Sequence, residues 1–161
     1  MGYTHYLELK KFPKVNYKAL QEDVQKALPK GARNELNNNR LVIQFEVNED
    51  FYFDSSNLGY EFCKTNRVPK DLNVCKTLLV LKHYYGSALD VTSDGFSNSQ
   101  PEDEKYSMGD VIDGNHLDEN WAKAIQWYTR KFKSRPVLKV DSVHGEGGCY
   151  FRGKLMGAKK A

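Results

Sequence analysis

The sequence predicts an α+β domain, a mostly antiparallel sheet with about three helices packed on it, in the order β-α-β-β-β-α-β-α with room for a C-terminal hairpin. Three observations carry this. Residues 3–9 and 41–47 alternate apolar and polar side chains with period two. Residues 17–28, 72–81 and 121–132 repeat apolar side chains at helical spacing. The connections between the middle strands are of hairpin length, too short for the crossovers that parallel strands require.

Each element has its own signal. In residues 3–9, Tyr3, His5, Leu7 and Leu9 share one face and Thr4, Tyr6 and Glu8 the other. Asn16 offers an N-cap to a helix bearing Tyr17, Leu20, Val24, Ala27 and Leu28, which Pro29 and Gly31 stop. Residues 34–40, rich in asparagine, read as a loop. Leu41, Ile43, Phe45 and Val47 point inward from a strand, and Phe51, Tyr52 and Phe53 read as its hairpin partner. Residues 60–63 form the next strand. The second helix starts near Pro69 and Asp71, is apolar over more than half its circumference, and ends at Gly86. Leu89 and Val91 mark a strand that Asp94 and Gly95 break. Asp113 or Asn115 is read as the cap of a third helix, with Trp121, Ile125, Tyr128 and Phe132 on one face, and Pro136 closes it. Trp127 lies off that face, either as an exposed contact or packed under the following segment. Residues 137–143 and 149–151 can pair as a hairpin. The expected domain is 1–135, with an acidic loop insertion at about 97–116, followed by an extension, 136–161, ending in a basic tail.

A chain of 161 residues is long enough for one real core and short for two. Its 40% hydrophobic and 28% charged residues place it among globular domains rather than disordered ones. The net charge of +3 and the lack of any nucleic-acid module pattern argue against nucleic acid as partner. Charge is unevenly spread: residues 101–119 hold seven acids against Lys105, while residues 123–161 hold ten bases against Asp141 and Glu146. Three cysteines without paired spacing (Cys63, Cys75, Cys149) fit neither a disulfide framework nor a zinc knuckle. The four histidines show no metal-ligand spacing, so no metal or cofactor is expected. No apolar run reaches bilayer length and the first residues show no secretory leader, so a cytoplasmic protein without membrane contact is expected.

Four segments together resemble a family of small bacterial and bacteriophage proteins that often begin GYTHYW and carry an FCKTARKPYD-like segment. They are MGYTHY at the start, FCKT followed by R-x-P-x-D at 62–71, SDG at 93–95, and W-x-x-A followed by Y-x-x-x-F at 121–132. Leu7 stands where that family often has tryptophan, and residues 97–116 and those after Ser134 fall outside the likeness. The resemblance implies a phage or prophage origin, hence the host cytoplasm, and brings no established activity with it.

The chemistry gathers around residues 61–95. Cys63, Lys64, Arg67 and Lys70 stand beside the N-terminus of the second helix, where backbone amides, the helix dipole and cations together favour an anion. No GxxxxGK[ST] or GxGxxG loop is present. The leading expectation is a non-enzymatic binding protein holding a small anionic, nucleotide-like ligand with Tyr3, His5, Cys63, Lys64, Arg67, Lys70 and Asp94. The plainer reading makes the three cations a solvated loop. A second expectation is an interaction protein that contacts a host or phage partner through the acidic insertion and the basic tail. A third is a thiol enzyme with Cys63 as nucleophile and His5 as base. Against it, a lone cysteine on a strand is more often a core residue, and His5 shares a face with Leu7 and Leu9.

Overall fold

The structure, a computed structural model, describes residues 4–37, 40–44, 51–64, 70–93, 96–97, 111–112, 115–117, 119–145 and 148–160. It is an α+β fold with antiparallel sheets. The first strand, β1 (Thr4–Leu9), alternates as its sequence demands: His5, Leu7 and Leu9 are buried and Glu8 is exposed. The helix α1 (Tyr17–Lys26) follows, with the Asn16 side chain accepting from the Ala19 amide at 3.1 Å and Leu20 and Val24 buried. Asn16→Ala should therefore cost about 1 kcal/mol, read as a shift in the urea midpoint. An unchanged midpoint would mean that the cap contributes nothing.

Residues 34–37, expected as loop, instead belong to a strand, β2 (Arg33–Asn37). Local propensity yields here to tertiary contacts. The Asn34 side chain donates to Gln25 Oε1 at 2.8 Å and to the Gln21 carbonyl at 3.3 Å, which fastens β2 to α1. With β3 (Arg40–Gln44) and β4 (Phe51–Asp54) it forms a three-stranded sheet whose Leu41, Ile43, Phe51 and Phe53 are buried. The hairpin of β3 with β4 matches the expectation; Phe45 and Val47 lie outside the described residues.

The main sheet has five strands, with β10 (Ser134–Gly145) at one edge followed by β11 (Gly148–Lys160), β6 (Leu89–Ser93), β1 and β5 (Gly59–Lys64). In it, β5 and β6 flank β1. Between β5 and β6 in the chain runs α2 (Asp71–Tyr85), with ten of its fifteen residues buried, as its apolar circumference predicts. It ends at Gly86, whose φ of 57° lies in the left-handed region that glycine adopts without strain. Asp23 of α1 binds all three helices together: it accepts from the Tyr84 hydroxyl of α2 and pairs with Lys131 at 2.9 Å. Burial works against the Asp23 carboxylate, but the Tyr84 and Lys131 contacts outweigh it and hold the group below its ordinary range.

Part of the expected acidic insertion is ordered as a small sheet of β7 (Phe96–Ser97), β8 (Val111–Ile112) and β9 (Asn115–Leu117), in the order β7-β9-β8. Residues 98–110, where much of its charge falls, lie outside the described residues. Asn115 is thus not a helix cap, because it pairs with Ile112 across β8 and β9. The helix α3 (Glu119–Phe132) starts later and buries Trp121, Ala124, Ile125 and Tyr128. Trp127 packs against the core, with Phe132 at its edge and the Lys76 ammonium over its ring at 5.4 Å. Lys133, with φ 56°, ends the helix, so Pro136 is not its stop. Pro136 sits instead in β10 (Ser134–Gly145), a sheet-edge strand where its missing N–H is tolerated.

The last correction concerns the basic tail. Residues 153–160 are the second half of a long strand, β11 (Gly148–Lys160), which pairs with β10 and, through Lys154↔Thr92 and Leu155↔Val91, with β6. Leu138 and Leu155 join the common core.

Candidate functional site

The polar groups of the interior collect at one end of the main sheet, around His5. Directly opposed residues on antiparallel strands share a face, so the pairings His5↔Cys63 and His5↔Ser93 set Cys63, His5 and Ser93 in a row beneath α2. His5 Nδ1 lies 2.7 Å from Ser93 Oγ, and His5 Nε2 lies 2.6 Å from Asp71 Oδ1, in the first turn of α2. Trp121 of α3 donates its indole N–H to Ser93 Oγ at 2.9 Å and meets the imidazole edge-on, with ring centroids 5.4 Å apart. Asn120 donates to Asp71 Oδ2 at 2.8 Å, and the Cys75 thiol, one turn along α2, points at the same oxygen at 3.7 Å.

A carboxylate only accepts, so Nε2 carries a proton and donates to Asp71. The Ser93 hydroxyl oxygen accepts from Trp121 and bridges it to Nδ1. Asp71, with no exposed surface, accepts from His5 and Asn120 and stands at the positive end of the α2 dipole. A buried carboxylate with those partners is tolerated, whereas one without them would be costly.

Hydroxyl, imidazole and carboxylate in sequence is the order of a nucleophile relay, but this one lacks an approach. Ser93, His5 and Asp71 are each 0% exposed, and the serine oxygen already takes the Trp121 proton. The network clasps β1, β6, α2 and α3 together. Cys63 is the cross-strand neighbour of His5, whose ring nitrogens are hydrogen-bonded to Ser93 and Asp71. The ligand atoms of His5, Asp71 and Cys75 lie within 4.8 Å of one another, a donor set that could hold a metal ion. However, the 2.6 Å between Nε2 and Oδ1 is a hydrogen-bond separation, closer than two ligands stand on one zinc ion. An ion would have to displace the shared proton and spread the pair.

The residues expected from sequence fall at this same end of the sheet where they are described. His5 is fully buried at the centre, Cys63 is half-buried beside it, and Lys64 is the last residue of β5. Lys70 is half-buried at the N-cap of α2. Tyr3, Arg67 and Asp94 lie outside the described residues, as does the Lys64 side chain. Sequence reasoning missed Asp71 as a partner of His5, and missed Cys75, Ser93, Asn120 and Trp121 altogether. A signal was present nonetheless: each of the four segments quoted for the resemblance contributes one member of the network, namely His5, Asp71, Ser93 and Trp121. No family model, curated protein or solved structure matches the chain.

Proposed function

We propose that the chain is a small, non-enzymatic binding protein of phage or prophage origin that holds an anionic, nucleotide-like ligand at the Lys64, Arg67 and Lys70 end of the sheet. The observation that carries this reading is Lys70 at the N-cap of α2. Its backbone is already helical (φ −66°, ψ −15°) and its carbonyl accepts from the Val74 amide, so a cation is set at the end of α2 whose amides and dipole favour an anion. The buried His5–Asp71–Ser93–Trp121 network supports the reading by fixing the first turn of α2, beside Lys70.

The test is differential scanning fluorimetry with mono-, di- and cyclic nucleotides and inorganic phosphate. At a hundredfold excess over Kd a ligand adds about 2.7 kcal/mol of stability, or roughly 5–10 °C for a domain of this size. Lys70→Ser should leave the stability of the free protein within about 0.5 kcal/mol of the wild type and reduce the response to ligand. If no anion shifts the wild type, or if the shift survives unchanged in Lys64→Ala, Arg67→Ala and Lys70→Ser, the reading fails.

A further inference from the structure

At the other end of α2, eleven residues and roughly 16 Å from Asp71, the structure holds a cleft of about 270 Å³. It opens between the last turn of α2, α3 and the β10–β11 hairpin. Leu79, Pro136 and Leu155 give it apolar walls, and Lys82, His83 and Ser134 bring polar atoms. Its size falls just below the roughly 300–1,000 Å³ of sites for drug-sized molecules, which suits a smaller ligand.

Lys82 sets its character. The residue is 5% exposed, an unusual burial for an ammonium. Two of its three N–H groups go to the carbonyl oxygens of Gly86 and Leu89, at 2.9 and 2.5 Å. The third has no acceptor among the described residues. Burial pushes the Lys82 pKa down; Asp90 counters this, while Lys10 and Lys154 add to it. Asp90 is itself held by Lys10 at 3.1 Å and Lys154 at 3.0 Å. These groups lie on the face of β6 and β11 turned away from Val91 and Leu155, so the charge of the cleft itself comes from Lys82. His83 Nδ1 is engaged with the Tyr128 hydroxyl at 2.8 Å, which fixes the ring at the rim.

We propose that this cleft binds a small carboxylate with an apolar body. Its carboxylate takes the remaining Lys82 N–H, and its hydrocarbon lies against Leu79, Pro136 and Leu155. Carbonyl capping accounts for two protons of Lys82 and leaves one for a ligand in the cleft that Lys82 lines. The site is separate from the one under Proposed function, and neither depends on the other.

The test follows the Leu79 and Leu155 methyl signals by NMR while sodium hexanoate is added, with hexanamide and sodium chloride as controls. Hexanoate should shift both signals saturably, and hexanamide, lacking the charge, should bind at least about tenfold more weakly. Lys82→Met should erase the preference for acid over amide. Because Lys82 also ties down the end of α2, Ser134→Leu provides a second variant that fills the cleft, leaves the ammonium contacts intact, and should block both compounds. No saturable shift with hexanoate, equal binding of hexanamide, or unchanged shifts in Ser134→Leu would each overturn the proposal.

Discussion

Asp71→Ala is expected to cost about 3–5 kcal/mol, because it breaks a buried pair from one side. The side chain is fully buried and takes the His5 Nε2–H at 2.6 Å and the Asn120 amide at 2.8 Å. Truncation strips both donors of that acceptor in a place where water does not replace it. Such a loss is a large part of the roughly 5–15 kcal/mol that stabilises a typical domain. Urea unfolding of Asp71→Ala, His5→Ala and the double variant measures it. The double variant should lose much less than the sum of the singles, since removing both partners leaves fewer orphaned groups. A single-variant loss below about 1 kcal/mol, or additive losses, would show that the pair is not the clasp described above.

Leu155→Ala should cost about 2–5 kcal/mol. If the last residues were a solvated tail, the same change would fall within about 0.5 kcal/mol of the wild type. In the structure Leu155 is 1% exposed, pairs with Val91 of β6 and belongs to the core shared by all three helices. Its neighbour is the control. Lys154 faces the other side of the strand and pairs with a partly exposed Asp90, so Lys154→Ala should lose no more than about 1 kcal/mol. Comparable midpoints for the two variants would argue against β11 as a core strand.

These residues show where sequence reading works and where it stops. Period-two alternation found β1 and β3 because one face of each is buried, and the apolar surface of α2 found the central helix because it is packed nearly all round. Asn16 and Gly86 were legible because a cap and a left-handed φ are local requirements. The strand β2 was not, because its Asn34 acts as a clasp to α1, a use that local propensity does not register. In β11, glycines and lysines surround the single buried Leu155 of its described side chains, leaving little pattern to detect. The site was half legible. His5 could be read as a satisfied core histidine, but its partners Asp71 and Ser93 lie 66 and 88 residues away, so no spacing rule connects them. Asp71 was read only as marking the start of α2 and Ser93 only as part of the SDG segment, each silent about the other.

The place of β11 in the sheet bears on how the chain reaches this state. Leu155 pairs with Val91 across 64 residues, and β11 enters between β6 and β10 rather than at the free side of β5. Until it arrives, one flank of β6 presents unpaired amides and carbonyls that another chain could capture. Pairings of such sequence separation, here and in the 80–88 residues that separate β1 from β6, are slow to form. Conditions that lengthen the wait, such as high concentration or a slowed hairpin, should therefore favour strand exchange between copies over monomeric refolding.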